Sequence, residues 1–198
     1  MTLGKRIKFM MLENVCNLKV TTLLPGLNDV WKIHAERGYD ISTMFMKNEI
    51  KALSLDIKGV KINLNTTVAD KHVPGIECQI RVVEECARSV WNTLPFHRLP
   101  YVTIVELIRQ VVMWLNALPV ASGFSGTYSP RTISTGTTLE FTKYFPLEFG
   151  AYIETHNSPH PTNMMDTQTM PCLNLGPTGN LQGTHKSLNL QTSRTVKQ

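Results

Sequence analysis

The residue types that most often carry out chemistry are present in this chain, but their spacing matches few known kinds of site. The four cysteines are Cys16, Cys78, Cys86 and Cys172, and no two of them form a CxxC pair. The six histidines show no ligand spacing with the cysteines, so free thiols are expected rather than a zinc site or a disulfide. The Ser, His and Asp residues form no nucleophile arrangement, and no glycine-rich phosphate loop is present.

One carboxylate, Glu77, stands four residues before Arg81 in a stretch with helical periodicity. This order favours an i, i+4 ion pair on a helix surface, which contributes about 0.2–0.5 kcal/mol. Arg88 falls on the same helical face as Arg81, and Glu84 and Glu85 can balance the two cations there. Spacing alone therefore favours a solvated, charged helix face.

The elements that must position these side chains belong to a weakly basic globular chain. It has 198 residues, 42% hydrophobic and 18% charged, with a net charge of +5 and a pI near 9.1. This composition allows a packed core and argues against disorder through most of the chain. The basic residues form no block, so charge alone does not predict a dedicated nucleic-acid binder. Neither a signal peptide nor a membrane span is predicted, and we expect an intracellular protein with no membrane partner.

The first half of the chain predicts alternating strands and helices, and hence the α/β class. The first helix should begin near Thr22–Pro25, because proline is tolerated only in a first turn, and should close at Gly38. Tyr39–Met46 is apolar on both faces, as in a buried central strand. The other predicted strands are Ile7–Leu12 and the alternating set Val60, Ile62 and Leu64.

Two consecutive apolar helices are predicted after these strands. The first should run from Pro74 to about Leu94, and the second from about Val102 to Leu118. Trp31, Trp91 and Trp114 occupy core-type helical positions and are interpreted as packing residues. The residues of the first helix predicted to face inward are Ile76, Ile80, Val83, Ala87 and Val90, and those facing solvent or a cleft are Glu77, Arg81 and Arg88.

The character of the chain changes after residue 122, where Gly, Ser, Thr and Pro become frequent. Alternating apolar residues and turn signals then predict a small antiparallel β module. The predicted domains are 1–122, a connecting segment 123–146, and the β module 147–198. The alternating residues are Phe149, Ala151 and Ile153, then Leu173 with Leu175, and Leu188 with Leu190.

Several short strings occur in an order that resembles one family. The chain carries HVPGIE at 72–77, NTLPF at 92–96 and WLNALP at 114–119, then SPRTI at 129–133 and LEFGAY at 147–152, and finally PTGN at 177–180. Each string is weakly specific, but their order over about 180 residues is specific. On these strings the chain resembles a truncated, degenerate copia-type retrotransposon polyprotein, from inside the integrase core to the region just beyond it.

The resemblance implies a truncated ribonuclease H-like core followed by the small β module, and an ancestral activity of DNA integration. Such integrases transfer DNA strands with two Asp and one Glu that hold two divalent metal ions, Mg²⁺ or Mn²⁺. Two metals about 3.5–4 Å apart stabilise the attacking and the leaving oxygen together. Glu77 matches the last of the three carboxylates, and the first Asp is expected on a strand upstream of Met1.

The second Asp of the family corresponds to Lys47, directly after the strand Tyr39–Met46. An ammonium group about 4 Å from a unit positive charge is repelled by about 4 kcal/mol at an effective dielectric near 20, and a divalent ion doubles this. Glu49, two positions on, is the remaining candidate substitute. We therefore expect no metal cofactor and no strand transfer.

The family's architecture would turn Arg81 and Arg88 toward DNA, and Lys71 is a third candidate contact just before their helix. The function expected from the resemblance is thus an inactive integrase-like fragment with weak, non-specific DNA binding at most. Two alternatives stay open. The apolar helices can form a protein-interaction module that docks on another segment or self-associates, or the fragment has no independent function.

Overall fold

The computed structural model describes residues 1–15, 17, 19–46, 63–66, 73–96, 98–156, 165, 167–180 and 182–197. The chain is a mixed α/β protein, which confirms the predicted class at this coarse level. It divides into two compact units, unit 1 (Met1–Val83 and Leu115–Thr138) and unit 2 (Glu84–Trp114 and Leu139–Gln198). The predicted domain boundaries at residues 122 and 147 stay a prediction.

The helices and strands have the following bounds. The helices are α1 (Val20–Ala35), α2 (Pro74–Thr93), α3 (Tyr101–Ala117), α4 (Pro130–Thr135) and α5 (Phe141–Tyr144). The strands are β1 (Thr2–Leu3), β2 (Met10–Met11), β3 (Thr43–Met46), β4 (Asn63–Thr66), β5 (Tyr152–His156), β6 (Thr169–Pro177), β7 (His185–Asn189) and β8 (Thr195–Lys197). In the part of the chain with assigned structure, no helix is both long and apolar enough to cross a bilayer.

Helix α1 ends as predicted but begins earlier. The Gly38 N–H donates to the Ala35 carbonyl at 2.9 Å and the Tyr39 N–H to the His34 carbonyl at 3.0 Å, with Gly38 at φ 70°. These two bonds around a left-handed glycine form a Schellman motif. The predicted start was wrong, because the helix begins at Val20 and Pro25 lies inside it. Packing outweighs the hydrogen bond that a proline cannot make.

The N-terminal segment of unit 1 is a short hairpin rather than the predicted strand over residues 7–12. Thr2 pairs with Met11 and Leu3 with Met10 in antiparallel register. Asn116, at the end of α3, secures this hairpin in the core. The Met10 N–H donates to Asn116 Oδ1 at 2.9 Å, and Asn116 Nδ2 donates to the Met10 carbonyl at 2.7 Å. The amide thus pairs with the main chain of β2 as a neighbouring strand would.

Strands β3 and β4 form a parallel pair in which Thr43 is opposite Asn63 and Phe45 is opposite Asn65. Met46 is buried and packs with Met44 against α1. The prediction of a strand buried on both faces over residues 39–46 was wrong, because the strand starts at Thr43 and Phe45 is 48% exposed. Of the alternating set at 60, 62 and 64, only Leu64 lies among the described residues, and it belongs to β4.

Helix α2 confirms the predicted element from Pro74, ending one residue before Leu94. Proline fits its first position because the missing N–H would have no partner inside the helix. Val83 is buried as predicted. Ile80 is 39% exposed, so its predicted inward position was wrong. Ile76 and Ala87 are partly buried. The predicted inward face is therefore most buried at Val83, near the middle of the helix, and less buried toward its ends.

Helix α3 confirms the second predicted helix within one residue at each end. In unit 2 its inner face is buried at Thr103, Leu107 and Val111. The side chain of Glu106 accepts hydrogen bonds from Lys186 Nζ on β7 at 3.0 Å, and its oxygen lies 2.8 Å from Arg109 Nη1. These partly buried contacts fix α3 against the sheet.

Unit 2 contains the predicted antiparallel module, a four-stranded sheet in the order β5-β6-β7-β8. The predicted common face of Leu173 and Leu175 was wrong. Cys172 is fully buried and Leu173 only partly, whereas Leu175 is 2% exposed, because the register shifts between Asn174 and Gly176. An extra residue at such a bulge turns the following side chain to the other face. Leu190 is 46% exposed because β7 ends before it.

Asn174 joins the parts of unit 2 around this bulge and is fully buried. Its Nδ2 donates to the Glu148 carbonyl at 2.9 Å and to the Leu147 carbonyl at 3.3 Å. Its Oδ1 accepts from the Gly176 N–H and lies 3.2 Å from His185 Nδ1. The Asn174 side chain therefore contacts the segment before β5, the bulge in β6 and the first residue of β7.

Trp114 is not the core residue that its helical position predicted, because 38% of it is exposed. Its ring stacks on Phe145 at 4.1 Å between centroids and lies 5.8 Å from Phe141. Phe141 is itself 43% exposed. These three rings form a surface cluster of unit 2 instead of a part of its interior.

Candidate functional site

Glu77 lies in the first turn of α2 and is partly buried. Its N–H donates to the Val73 carbonyl at 3.3 Å, which is the ordinary bond of a helix start. A carboxylate in a first turn is stabilised by the unpaired N–H groups and the helix dipole, by about 0.3–1 kcal/mol. The position of Glu77 therefore has a structural explanation that needs no metal ion.

The other positions predicted around Glu77 fall outside the described residues. Lys47 and Glu49 follow β3 in the chain, and Lys71 precedes α2. The predicted convergence of Lys47 with Glu77, and the metal repulsion argued from it, stay predictions. The same holds for Lys71 as a nucleic-acid contact.

The two predicted arginines of α2 are both exposed. Arg88 Nη2 lies 3.8 Å from Glu84 Oε2, with the two side chains 74% and 57% exposed. An ion pair this open contributes little, and it leaves the guanidinium in contact with water. Arg88 thus shows the balanced, solvated face that spacing favoured. Arg81 is an exposed cation of unit 1 that remains a candidate contact for phosphate.

The described residues offer no metal centre. Within them no group of three or more His, Cys, Asp or Glu is placed to hold an ion. Cys78, Cys86 and Cys172 are free thiols, as predicted, and Cys16 lies outside the described residues. Cys172 is buried, with its Sγ 3.0 Å from Thr155 Oγ1. Cys78 is exposed and Cys86 is partly buried.

Two histidines have perturbed acidity. Burial lowers the pKa of His34, whose ring meets Tyr39 edge-on at 6.4 Å between centroids. Burial also lowers the pKa of His185, and a hydrogen bond with the Lys143 backbone partly offsets this. The ring of His185 contacts the amide of Asn174. An aromatic neighbour and a buried amide are packing partners, so both histidines are interpreted as structural.

The basic surplus of the chain belongs to one unit. Unit 1 contains 13 Lys and Arg against 8 Asp and Glu, a net charge of +5, whereas unit 2 contains 7 of each. The turn between β1 and β2 contributes Lys5, Arg6 and Lys8 to this surplus, and the first two are exposed. The net electrostatic attraction to an acidic polymer is therefore expected mainly from unit 1.

Lys5 and Phe45 form a contact that the sequence did not predict. The Lys5 Nζ lies 5.9 Å from the centroid of the Phe45 ring, at the outer limit of a cation–π contact. The apolar run at 39–46 predicts a buried strand and therefore no exposed ring at Phe45. The signal available was the pair Asn63 and Asn65, since asparagine is depleted in strands and most of all in buried ones.

Unit 1 also contains a mostly apolar cavity of about 140 Å³ between the hairpin and α1. Among the described residues of its lining, Glu13 is the charged one. Its walls include Met1, Met11, Leu23, Leu27 and Met46. The described part of this lining offers few polar groups that could orient a substrate.

No protein-family model matches this chain, and no curated protein matches it in sequence. The family resemblance therefore rests on the ordered strings and on the physical interpretation of their residues.

Proposed function

We propose that this chain is a relic of a copia-type retrotransposon integrase and contains a ribonuclease H-like segment. Its ancestor transferred DNA strands, and the chain retains at most weak, sequence-independent DNA binding. The observation that carries the proposal is the order of elements around Glu77. A parallel strand pair, β3 and β4, is followed by a long helix whose first turn holds this carboxylate. In the ribonuclease H-like plan the end of such a strand and the last carboxylate converge.

The positions of the family strings give further support. HVPGIE opens α2 and NTLPF closes it, SPRTI opens α4, and LEFGAY leads into β5. Ser129 caps α4 by accepting a hydrogen bond from the Thr132 N–H at 3.2 Å. Two distant strings also meet inside unit 2, because Gly150, at φ 77°, leaves no room for a Cβ beside Leu94. The strings thus coincide with caps, turns and packing contacts, where a fold constrains residue type.

The same residues argue against metal-dependent catalysis in the present chain. Two metal ions need several hard oxygen ligands. Of the two positions of the family's set that fall within this sequence, Glu77 keeps its carboxylate and Lys47 replaces the other. Lys47, at the position of a lost Asp, would repel a cation. The ancestral Mg²⁺ or Mn²⁺ therefore does not fit the residues present, and no step through a metal is assigned to them.

Duplex DNA binding tests the proposal. We expect the full chain to bind unrelated duplexes equally, with Kd of about 10⁻⁴–10⁻⁶ M near physiological salt and a steep loss as salt rises. Incubation with Mg²⁺ or Mn²⁺ should give no nicking or strand transfer above a Glu77→Gln control. Preference for one sequence, binding that ignores salt, or activity that the Glu77→Gln change abolishes would contradict the proposal.

A protein-interaction module is the second candidate, and one observation favours it. Helix α3 presents large apolar side chains to solvent within unit 2, with Tyr101 70%, Val102 40% and Trp114 38% exposed. An apolar surface of this kind can bind a second protein. Sedimentation of the chain over a range of concentrations would show self-association. A failure to bind DNA even at low salt would also favour this alternative.

A further inference from the structure

The β3–β4 pair has one covered face and one open face. Side chains alternate along a strand, so Met44 and Met46 face α1 and Thr43 and Phe45 face the other way. Parallel strands are normally covered on both faces. Here Thr43, Asn63 and Asn65 are exposed, and Phe45 is 48% exposed. We name these four residues the open face of unit 1.

The residue types of this face are unusual for a strand surface that serves only the fold. Two of the four residues of β4 are asparagines, which pair in register with Thr43 and Phe45. Asparagine is depleted in strands because its side chain competes for backbone hydrogen bonds. On the open face each amide offers a donor and an acceptor beside an exposed aromatic ring. The ring and the amides together can contact a flat, polar, aromatic group.

Positive charge borders the same ring. The Lys5 Nζ lies 5.9 Å from the Phe45 ring centroid, and Arg6 is exposed in the same turn. The Gly4 N–H donates to the Phe9 carbonyl and the Lys8 N–H to the Gly4 carbonyl, which closes this turn. The unit that contains the turn carries the whole +5 surplus of the chain. A partner of this surface is therefore anionic as well as aromatic.

We propose that the open face of unit 1 binds single-stranded nucleic acid. An unpaired base stacks on Phe45, the amides of Asn63 and Asn65 hydrogen-bond base edges, and Lys5 and Arg6 contact the adjacent phosphates. Stacking of bases on aromatic side chains together with a basic border is the general mode of single-strand binding. The inference rests on the proposed function, from which it takes nucleic acid as the partner. It adds the surface that binds and the preference for single strands.

Fluorescence anisotropy with short labelled oligo(dT), oligo(U) and a duplex of the same length tests this inference on the full chain. Phe45→Leu keeps an apolar side chain and removes the ring, so affinity for oligo(dT) should fall about 5-fold or more. Phe45→Tyr should keep the affinity. Lys5→Ala should make the slope of log K against log salt shallower by about 0.7. Phe124→Leu, at a ring of unit 1 that is 71% exposed, is the matched control and should change nothing.

Each outcome decides between the two proposals. An equal loss of oligo(dT) affinity in Phe45→Leu and Phe124→Leu, or no loss in Phe45→Leu, overturns the proposal that the open face binds single strands. Duplex binding by the wild type would still support the integrase relic in that case. Phe45-dependent binding of single strands without any duplex binding supports the open face and contradicts that relic's DNA binding. A change in oligomeric state with Phe45→Leu shows a protein interface instead. Comparison of oligo(dT) with oligo(U) identifies DNA or RNA as the preferred source of the bases.

Discussion

Asn174 illustrates how one buried amide can connect several segments of a small sheet. All of its hydrogen bonds described above go to groups of unit 2, and two of them satisfy carbonyls of the segment that leads into β5. A fully buried amide is costly unless such bonds are made. The residue is therefore better explained by the stability of the sheet than by chemistry.

Replacing Asn174 with Ala should destabilise the protein by about 2–4 kcal/mol, because several buried groups lose their partners at once. Urea denaturation followed by circular dichroism measures this change. Asn92→Ala, at an exposed position of α2 in the same unit, should stay within about 0.5 kcal/mol of the wild type. Equal effects of the two substitutions would show that the hydrogen bonds of Asn174 contribute nothing.

Helix α1 extends through a proline because its packing is favourable enough to offset the cost of that residue. Pro25 is the sixth residue of the helix and is exposed. Its ring nitrogen carries no hydrogen, so it cannot donate to the Thr21 carbonyl as another residue would at this position. The helix nevertheless begins at Val20, since Leu23, Leu24 and Leu27 pack with Met46. A proline inside a helix costs about 3 kcal/mol relative to alanine.

Pro25→Ala should therefore stabilise the protein, by about 1–3 kcal/mol, because the change restores a helical N–H without removing a buried side chain. The free energy of unfolding in urea is the measurement, and Asp29→Ala at another exposed position of α1 is the control. A loss of stability in Pro25→Ala would mean that the proline imposes a bend that the core requires.

The elements that could be predicted from the sequence are those whose signals are local. Pro74 placed the start of α2 and Gly38 the end of α1, because each residue's backbone preference acts on its own turn. The prediction failed for Phe45, because which face of a strand is covered depends on elements elsewhere in the chain. The bulge after Asn174 was missed for a similar reason, since cross-strand pairing creates it. At the candidate site the place of Glu77 in α2 followed from helical periodicity, whereas the open face needed the register of β4.

At the scale of the whole molecule, charge and titration affect the two units differently. Unit 1 carries the net charge and unit 2 is neutral, so salt should act mainly on what unit 1 binds. Each unit contains a histidine that burial disfavours in its charged form, His34 in unit 1 and His185 in unit 2. Both units should therefore respond to acid.

Stability should fall as pH falls below about 6.5, the ordinary histidine pKa. In the folded state the pKa of each histidine is lowered, so the unfolded chain takes up the proton first. The stabilising contribution is complete above the unfolded pKa and is lost as pH falls toward the folded one. Urea unfolding between about pH 8 and pH 5 measures the slope, which His34→Gln should reduce. An unchanged slope in that variant would exclude His34 as the cause.

The pairing of Asn116 with Met10 has a consequence for the order in which the protein is made. The two residues are 106 positions apart. Ribosomes add about 5–20 residues per second, so about 5–20 s pass between the synthesis of the hairpin and that of the amide that secures it. Throughout that interval the buried N–H and carbonyl of Met10 lack this partner. The hairpin is thus synthesised well before it acquires its native contacts with Asn116, and a chain released before Asn116 cannot complete the core of unit 1.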